Sequence, residues 1–259
     1  MSNDPLAIIF VSNGPGELAT WVKPLAQELH KQILLRPQSD SSSISLNLVL
    51  VPCPNATGFE HIVAQKWLLF EKIIKAKYFW KLIFRPNKFY SWPSNGLVIF
   101  LGGDQFWSVL LSARLGYLNM TYAEWIARWP FWNDRILAMS EKIVTNIPKR
   151  IKHRCSVIGD LTAELTETEN IDDPLPSGTW IAIMPGSKST KLKIGIPFFL
   201  DVADKISHLM PNCKFLMPLA PTTNIDEIKY FSSSKNPIAR QYESGIKSIN
   251  KTNNKEKRL

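Results

Sequence analysis

The chain has 259 residues, 45% of them hydrophobic, and a formal net charge of +9 at pH 7. That length allows one large domain or two modest ones, and the apolar fraction supports a packed core, which excludes a disordered or fibrous class. No stretch approaches the roughly 20 apolar residues needed to span a bilayer; the charge-free run 89–103 is broken by Pro93, Gly96, Gly102 and Gly103.

In chain order, the first apolar run, residues 6–12, reads as a strand and stops at the corner "SNGPGEL", 12–18. Leu18, Trp21, Val22, Leu25 and Leu29 then fall at helical spacing, and a second apolar run follows at 45–52. This is βαβ alternation, and near-continuous apolar runs are the mark of strands buried on both faces of a parallel sheet. Gly14 and Gly16 remove side chains where the backbone turns, and the new helix offers free N–H groups there. Glu17 favours the helix start but opposes a phosphate. The corner is therefore read as facing a neutral sugar or an acceptor, with Asn13, Gly14, Gly16 and Glu17 as candidate binding residues; a ligand-free βα turn is the other reading. The spacing is not GxGxxG, so no dinucleotide fingerprint is present.

Residues 66–92 mix basic and aromatic side chains. Leu69, Ile73, Ala76, Trp80 and Ile83 form a charge-free helical stripe, while other aromatic residues lie among the lysines. An interfacial segment on anionic lipid is expected, carried by Trp67, Lys72, Lys75, Phe79 and Trp80; a core helix with a solvated basic flank is the alternative. A strand at 96–102 leads into "GGDQF", where the glycines turn the chain and present Asp104. A carboxylate at a strand end can act as a general base toward a hydroxyl if burial tunes it, or it can simply cap a helix over 105–115. In the segment 119–132, Tyr122 and Glu124 are candidate substrate contacts; Glu124 and Arg128 read as an i,i+4 helix pair, and the aromatic residues as core or as a wall for a sugar.

Further strands are expected at 134–140 and 155–159. An acidic, then Pro/Ser/Gly-rich stretch, 167–179, has the composition of a linker. The α/β pattern then restarts with a strand at 180–186, a helix at 196–209 and a strand at 213–219. At the join, Gly186, Ser187 and Lys188 form an anion-facing loop that is not a Walker A motif. The expected domains are 1–166 and 180–231, with a disordered basic tail over 232–259. Cys53, Cys155 and Cys213 are scattered without a CxxC pair, which suits a reducing cytoplasm and no disulfide framework. The four histidines form no HxH or HxxxH pair, so no metal centre is expected. No RNP, helix-turn-helix or zinc pattern accompanies the charge, which argues against a nucleic-acid partner.

Taken in order, "SNGPGEL", "GGDQF", "TYAEWIARW", "VIGDLTAEL" (157–165) and "PGSK" (185–188) resemble the lipid-A-disaccharide-synthase-like family of glycosyltransferases, over about residues 7–220. The resemblance implies an α/β GT-B fold: an N-terminal Rossmann-like parallel-sheet domain and a second Rossmann-like domain across a cleft. It implies transfer of a sugar from a UDP-sugar to a lipid-linked, membrane-borne acceptor, without a metal or cofactor, by a cytoplasmic enzyme peripheral to the membrane. Asp104 would match the base, and Ser187 with Lys188 the donor-phosphate loop, although Lys188 stands where the family has arginine. The family's second domain continues well past residue 220, so a partial, inactive second domain is also to be weighed. A nucleotide-sugar epimerase of the same fold and a lipid-binding remnant are the alternatives.

Overall fold

The computed structural model describes residues 5–36, 43–54, 56–86, 90–163, 175–220 and 222–242. The chain divides into two compact units, Met1–Glu169 and Asn170–Leu259.

The first unit is built on strands β1 (Leu6–Ser12), β2 (Ile44–Leu50), β3 (Lys72–Ile74), β4 (Asn95–Phe100), β5 (Leu118–Ala123), β6 (Arg135–Ala138) and β7 (Cys155–Val157). They form one seven-stranded sheet in the order β3-β2-β1-β4-β5-β6-β7, parallel throughout. Side chains of a strand alternate between faces, and here both faces are buried. Ala7, Ile9 and Val11 join one core with Val49, Val98 and Phe100. Ile8 and Phe10 join the other with Leu46, Leu48, Ile99 and Leu101. Helices α1 (Lys23–Leu34), α2 (Glu60–Lys66), α3 (Phe79–Phe84), α4 (Phe106–Leu115) and α5 (Glu141–Thr145) connect the strands. Phe79, Leu82 and Ile83 of α3 and Leu111 of α4 cover the first core; Ala26 of α1 and Ala64 of α2 cover the second.

Two strands escape the apolar-run reading. β3 is a three-residue edge strand, too short to show a period. β5 turns Asn119 and Thr121 inward, both buried, so its inner face is polar. The Glu124–Arg128 helix pair does not form, because β5 ends at Ala123 and the chain beyond it is irregular.

The helical stripe expected over 69–83 does not lie on one helix. Residues 60–86 form α2, β3, a 3₁₀ turn Ala76–Tyr78 and α3, and 87–89 lie outside the described residues. Phe79 is fully buried, Trp67 packs against the second core, and Lys72 pairs with Glu71 at 2.6 Å. Those three side chains serve the fold; Trp80 remains half-exposed, and Lys75 lines a cavity beside Asn13. A helical period spread over a strand and two helices is coincidence: Ile73 is on β3 and Ile83 on α3.

The second unit holds the parallel pair β8 (Trp180–Ala182) and β9 (Lys214–Leu216), with α6 (Ser189–Leu209) and α7 (Ile225–Phe231). Leu192, Ile196 and Phe231 form its core. Part of the expected linker, 164–174, and the tail 243–259 lie outside the described residues. Residues 232–242 are ordered, contrary to the expected tail. Buried Asn236 donates to Lys193 O at 3.2 Å and to Phe231 O at 2.9 Å, while Tyr242 meets Phe198 edge to face at 6.1 Å. One buried amide does here what large apolar residues do elsewhere.

At the start of β4, a Cβ on Gly96 would run into the Tyr117 ring, whose hydroxyl is fixed on Pro93 O at 2.5 Å. Gly96→Ala is expected to cost about 1–3 kcal/mol as overpacking, read as a lower urea midpoint with an unchanged slope.

Candidate functional site

β1 and β4 are neighbours, but the chain leaves β1 toward β2 on one side and later returns to β4 on the other. In an open parallel sheet, ligands bind outside the carboxyl ends at such a reversal. Both glycine corners of the sequence lie there. After Ser12 the chain turns through Asn13 and an extended Gly14 into the helical turn Pro15–Glu17. Proline suits that first helical position because its missing N–H would have no partner there. The Glu17 carboxylate folds over Gly14, and a Cβ on Gly14 would collide with it. That carboxylate covers the helix start with negative charge, which disfavours phosphate. Gly16 has open space around its Cα, so no close approach requires it.

The β4 corner is tighter. A Cβ on Gly102 would lie 2.8 Å from Glu17 Cβ and 2.9 Å from Ser12 Oγ. Gly103 has φ +100°, and its Cβ would lie 2.6 Å from Asn13 Nδ2. Any side chain at either place would drive the two loops apart. Asp104 follows; its Oδ1 accepts from Phe106 N at 2.9 Å, so it caps α4. Its side chain is 48% exposed, and Oδ2 lies 3.7 Å from Arg128 Nη1. The burial that would tune it as a base is not present in this state.

The far wall is the loop after β5, held by two buried amides. Gln105 Nε2 donates to Ile126 O at 2.8 Å and Gln105 Oε1 accepts from Arg128 N at 2.6 Å. Asn133 Oδ1 accepts from Asn119 Nδ2 at 2.7 Å and Thr121 Oγ1 at 2.6 Å, and its Nδ2 donates to Trp129 O at 3.1 Å. Trp129 has φ +52°, a conformation that costs about 1–3 kcal/mol for a non-glycine residue and is sustained by those bonds.

Together these pieces enclose a pocket of about 280 Å³ whose lining includes Glu17, Trp21, Asp104, Tyr122, Glu124 and Arg128. Four of the sequence candidates, Glu17, Asp104, Tyr122 and Glu124, share it. Asn13 opens instead on a neighbouring cavity of about 230 Å³ with His61, Lys75 and Lys77. Three carboxylates against one guanidinium make the first pocket a poor host for phosphate and a good one for hydroxyl groups. Tyr122 is 2% exposed, and burial raises its phenol pKa above 10.0. Its hydroxyl donates to Gly159 O and accepts from Leu161 N, both at 3.3 Å, tying the "IGDL" segment to the pocket. Trp21 meets Tyr122 edge to face at 5.3 Å. It sits in a π-helical segment, Leu18–Val22, a feature frequent at functional sites. Trp21, Gln105 and Asn133 were not among the sequence candidates. Gln105 had a signal, standing just inside the helix that Asp104 caps; a buried Asn133 had none.

In the second unit, Gly186 has φ +103°, and Lys188 is the residue at which α6 begins. Gly195 allows that loop to lie close on the helix: a Cβ there would be 2.9 Å from Pro185 O.

Comparison with solved structures supplies the fold. The chain resembles a protein from Listeria monocytogenes assigned as a UDP-N-acetylglucosamine 2-epimerase, with TM-score 0.54 and 11% identity over 93% of this chain and 66% of that one. It also resembles UDP-GlcNAc 2-epimerase from Neisseria meningitidis bound to UDP-GlcNAc, with TM-score 0.52 and 13% identity over 92% and 74%. The fold is of GT-B type. At these identities the likeness is one of fold alone. No family model matches the chain. In sequence, 66 residues are 30% identical to Lipid-A-disaccharide synthase 1 of Legionella pneumophila (strain Paris), covering 26% of this chain and only 16% of that protein's length.

Gln105→Ala leaves Ile126 O and Arg128 N without their partner, at about 1–3 kcal/mol. Tryptic cleavage after Arg128 is expected to accelerate about tenfold, since 1.4 kcal/mol is a factor of ten. The raised Tyr122 pKa means that the folded state keeps its phenol proton to higher pH than the unfolded chain. Its contribution is therefore full below about pH 10 and lost as pH rises through the folded value. Stability is expected to fall with pH above 10, and Tyr122→Phe to make that fall shallower, measured by urea midpoints between pH 8 and 11.5.

Proposed function

We propose that the chain processes a nucleotide-linked sugar, with the sugar or its acceptor hydroxyl in the pocket of Glu17, Asp104, Tyr122 and Glu124. The observation that carries this reading is the gathering of those side chains at the strand reversal of a GT-B fold. The Ser187-Lys188 loop is the candidate for the nucleotide phosphates, as a helix N-terminus with an ammonium group beside it. UDP-sugar is the donor proposed, because the neighbour from Neisseria is bound to UDP-GlcNAc.

Two chemistries fit. In transfer, Asp104 takes the proton of an acceptor hydroxyl, the freed oxygen bonds to the anomeric carbon, and the sugar–phosphate bond breaks with its electrons leaving on UDP. In epimerisation, a pocket carboxylate would take the proton from C2 of the sugar as the bond from C1 to UDP breaks, its electrons leaving on UDP, and re-addition of UDP at C1 would return a proton to C2 on the opposite face. The structural neighbours, alike over more than 90% of this chain, favour epimerisation; the synthase match of 66 residues supports transfer.

A lipid-linked acceptor and a peripheral membrane position are supported by a ridge of rings beside the pocket. Trp129 meets Phe106 at 5.6 Å, Phe106 meets Trp107 at 5.6 Å, Trp107 meets Trp80 at 5.5 Å, and Trp80 stacks on Phe84 at 5.9 Å. Trp125, which lines the pocket, is 79% exposed and Phe84 70%. Exposed apolar patches of this kind mark interaction surfaces. Among the described residues no helix is long and apolar enough to cross a membrane.

The deciding experiment incubates the protein with UDP-GlcNAc in D₂O, with and without membrane lipid extract. Deuterium in the recovered sugar identifies epimerisation; UDP release that requires the extract identifies transfer. Neither signal would overturn the proposal. Asp104→Asn keeps the cap on Phe106 N but removes the base, so turnover is expected to fall about 10²-fold or more at unchanged Tm.

A further inference from the structure

At the opposite end of the sheet from the sugar pocket lies a cavity of about 400 Å³ between the ends of α3 and α4 and the segment before β4. Its walls include Arg85, Trp92, Ser94 and Arg114, and no lining residue is acidic. Arg114 is anchored by its Nε, which donates to Ile83 O at 2.8 Å. That bond satisfies a carbonyl at the end of α3 and leaves the two terminal nitrogens of the guanidinium available. Arg85 is exposed and has no ion pair among the described residues. The indole N–H of Trp92 is buried without a partner among the described residues, and the Lys72 ammonium lies 5.5 Å from that ring.

Two guanidinium groups, one held in place, and a hydroxyl are a donor set without an acceptor. Planar forks of this type match the oxygens of phosphate, and the volume falls in the usual range for small-ligand sites. We propose that this cavity binds a phosphate group, as a second site distinct from the sugar pocket. It is separated from that pocket by the length of α4, Phe106–Leu115, ten residues or about 15 Å of helix rise at 1.5 Å per residue. The phosphate belongs either to a soluble compound or to a lipid headgroup, since exposed Phe84 adjoins Arg85.

The test uses the full chain at low ionic strength, because exposed charge contacts weaken with salt. Inorganic pyrophosphate is titrated calorimetrically, and sedimentation with vesicles of phosphatidylcholine and phosphatidic acid is measured in parallel. Arg85→Gln removes a guanidinium with no bond among the described residues, and is expected to weaken binding about tenfold. All titrations are made in the Lys188→Gln background, which removes the ammonium group of the candidate nucleotide-phosphate loop; there Arg85→Gln with Arg114→Gln is expected to abolish binding. Saturable pyrophosphate binding lost in the arginine variants supports a soluble ligand. Vesicle binding alone, lost in the same variants, supports a headgroup. Binding unaffected by Arg85→Gln, or none of either probe, overturns the site and leaves the arginines as helix caps. Failure of the sugar-processing reading would not alter these outcomes, since the Lys188→Gln background takes the nucleotide-phosphate loop out of the measurement and neither probe reports on turnover.

Discussion

The first unit depends on how closely two loops pass where the chain reverses across its sheet. β1 and β4 run side by side, and the backbone leaving each must turn away in opposite directions within a few residues. Gly102 and Gly103 make this possible: every atom they lack would lie under 3 Å from Ser12, Asn13 or Glu17. The same closeness brings Glu17, from the β1 side, against Asp104, from the β4 side. A steric requirement of the turn thus assembles the acidic floor of the pocket, and Gly14 repeats the logic by leaving room for the Glu17 carboxylate. The backbone hydrogen bonds Leu101 N to Val11 O, 2.8 Å, and Val51 N to Ser12 O, 3.0 Å, continue the ladder to the lip of the turn, so the corners stand on rigid strands.

The pocket's other wall follows a different principle. The loop after β5 has no ladder to hold it, and its exposed rings contribute little core. It is held by side-chain amides, which can donate and accept together. Gln105 grips two backbone groups of the loop from α4, and Asn133 links its base to the inward face of β5. Removing either amide would strand partners that are themselves out of water, which costs more than the bond alone is worth. Placement of Arg128 opposite Asp104 follows from this grip, since Gln105 holds the Arg128 backbone N–H itself.

Residues whose environment is apolar were legible before any coordinates: β1, β2 and β4 announce themselves as continuous runs, and the glycine corners as the places where those runs must turn. Features built from polar groups facing inward were not. β5 buries Asn119 and Thr121 because Asn133 satisfies them, and no period in the sequence carries that pairing. The segment 66–92 misled for the opposite reason, since lysines interleaved with rings look interfacial whether the ring faces lipid or core. Phe79 and Trp67 face the core; Trp80 and Phe84 do not, and only tertiary packing separates them. Of the two readings of Asp104, the cap is realised in the hydrogen bond to Phe106 N, and the same carboxylate lies beside Arg128.

Charge arranges the functional surfaces of the first unit. The chain is strongly basic, +9 overall, yet the pocket at the strand ends gathers three carboxylates. In a basic protein this is a local reversal, and it sets a division of labour. Hydroxyl-bearing groups can settle among acceptors that phosphate would find repulsive, since like charges at close range in a partly desolvated site oppose one another strongly. The Ser187-Lys188 loop of the second unit has the opposite chemistry, a hydroxyl and an ammonium group that can donate. The arginine-lined cavity at the far end of α4 has the same donor chemistry without any carboxylate. There Ile83 O, at the end of α3, orients the Arg114 guanidinium without neutralising it by ion pairing. A sheet that presents acceptors at one end and cationic donors at the other can take hydroxyl and phosphate groups of different partners without competition between them.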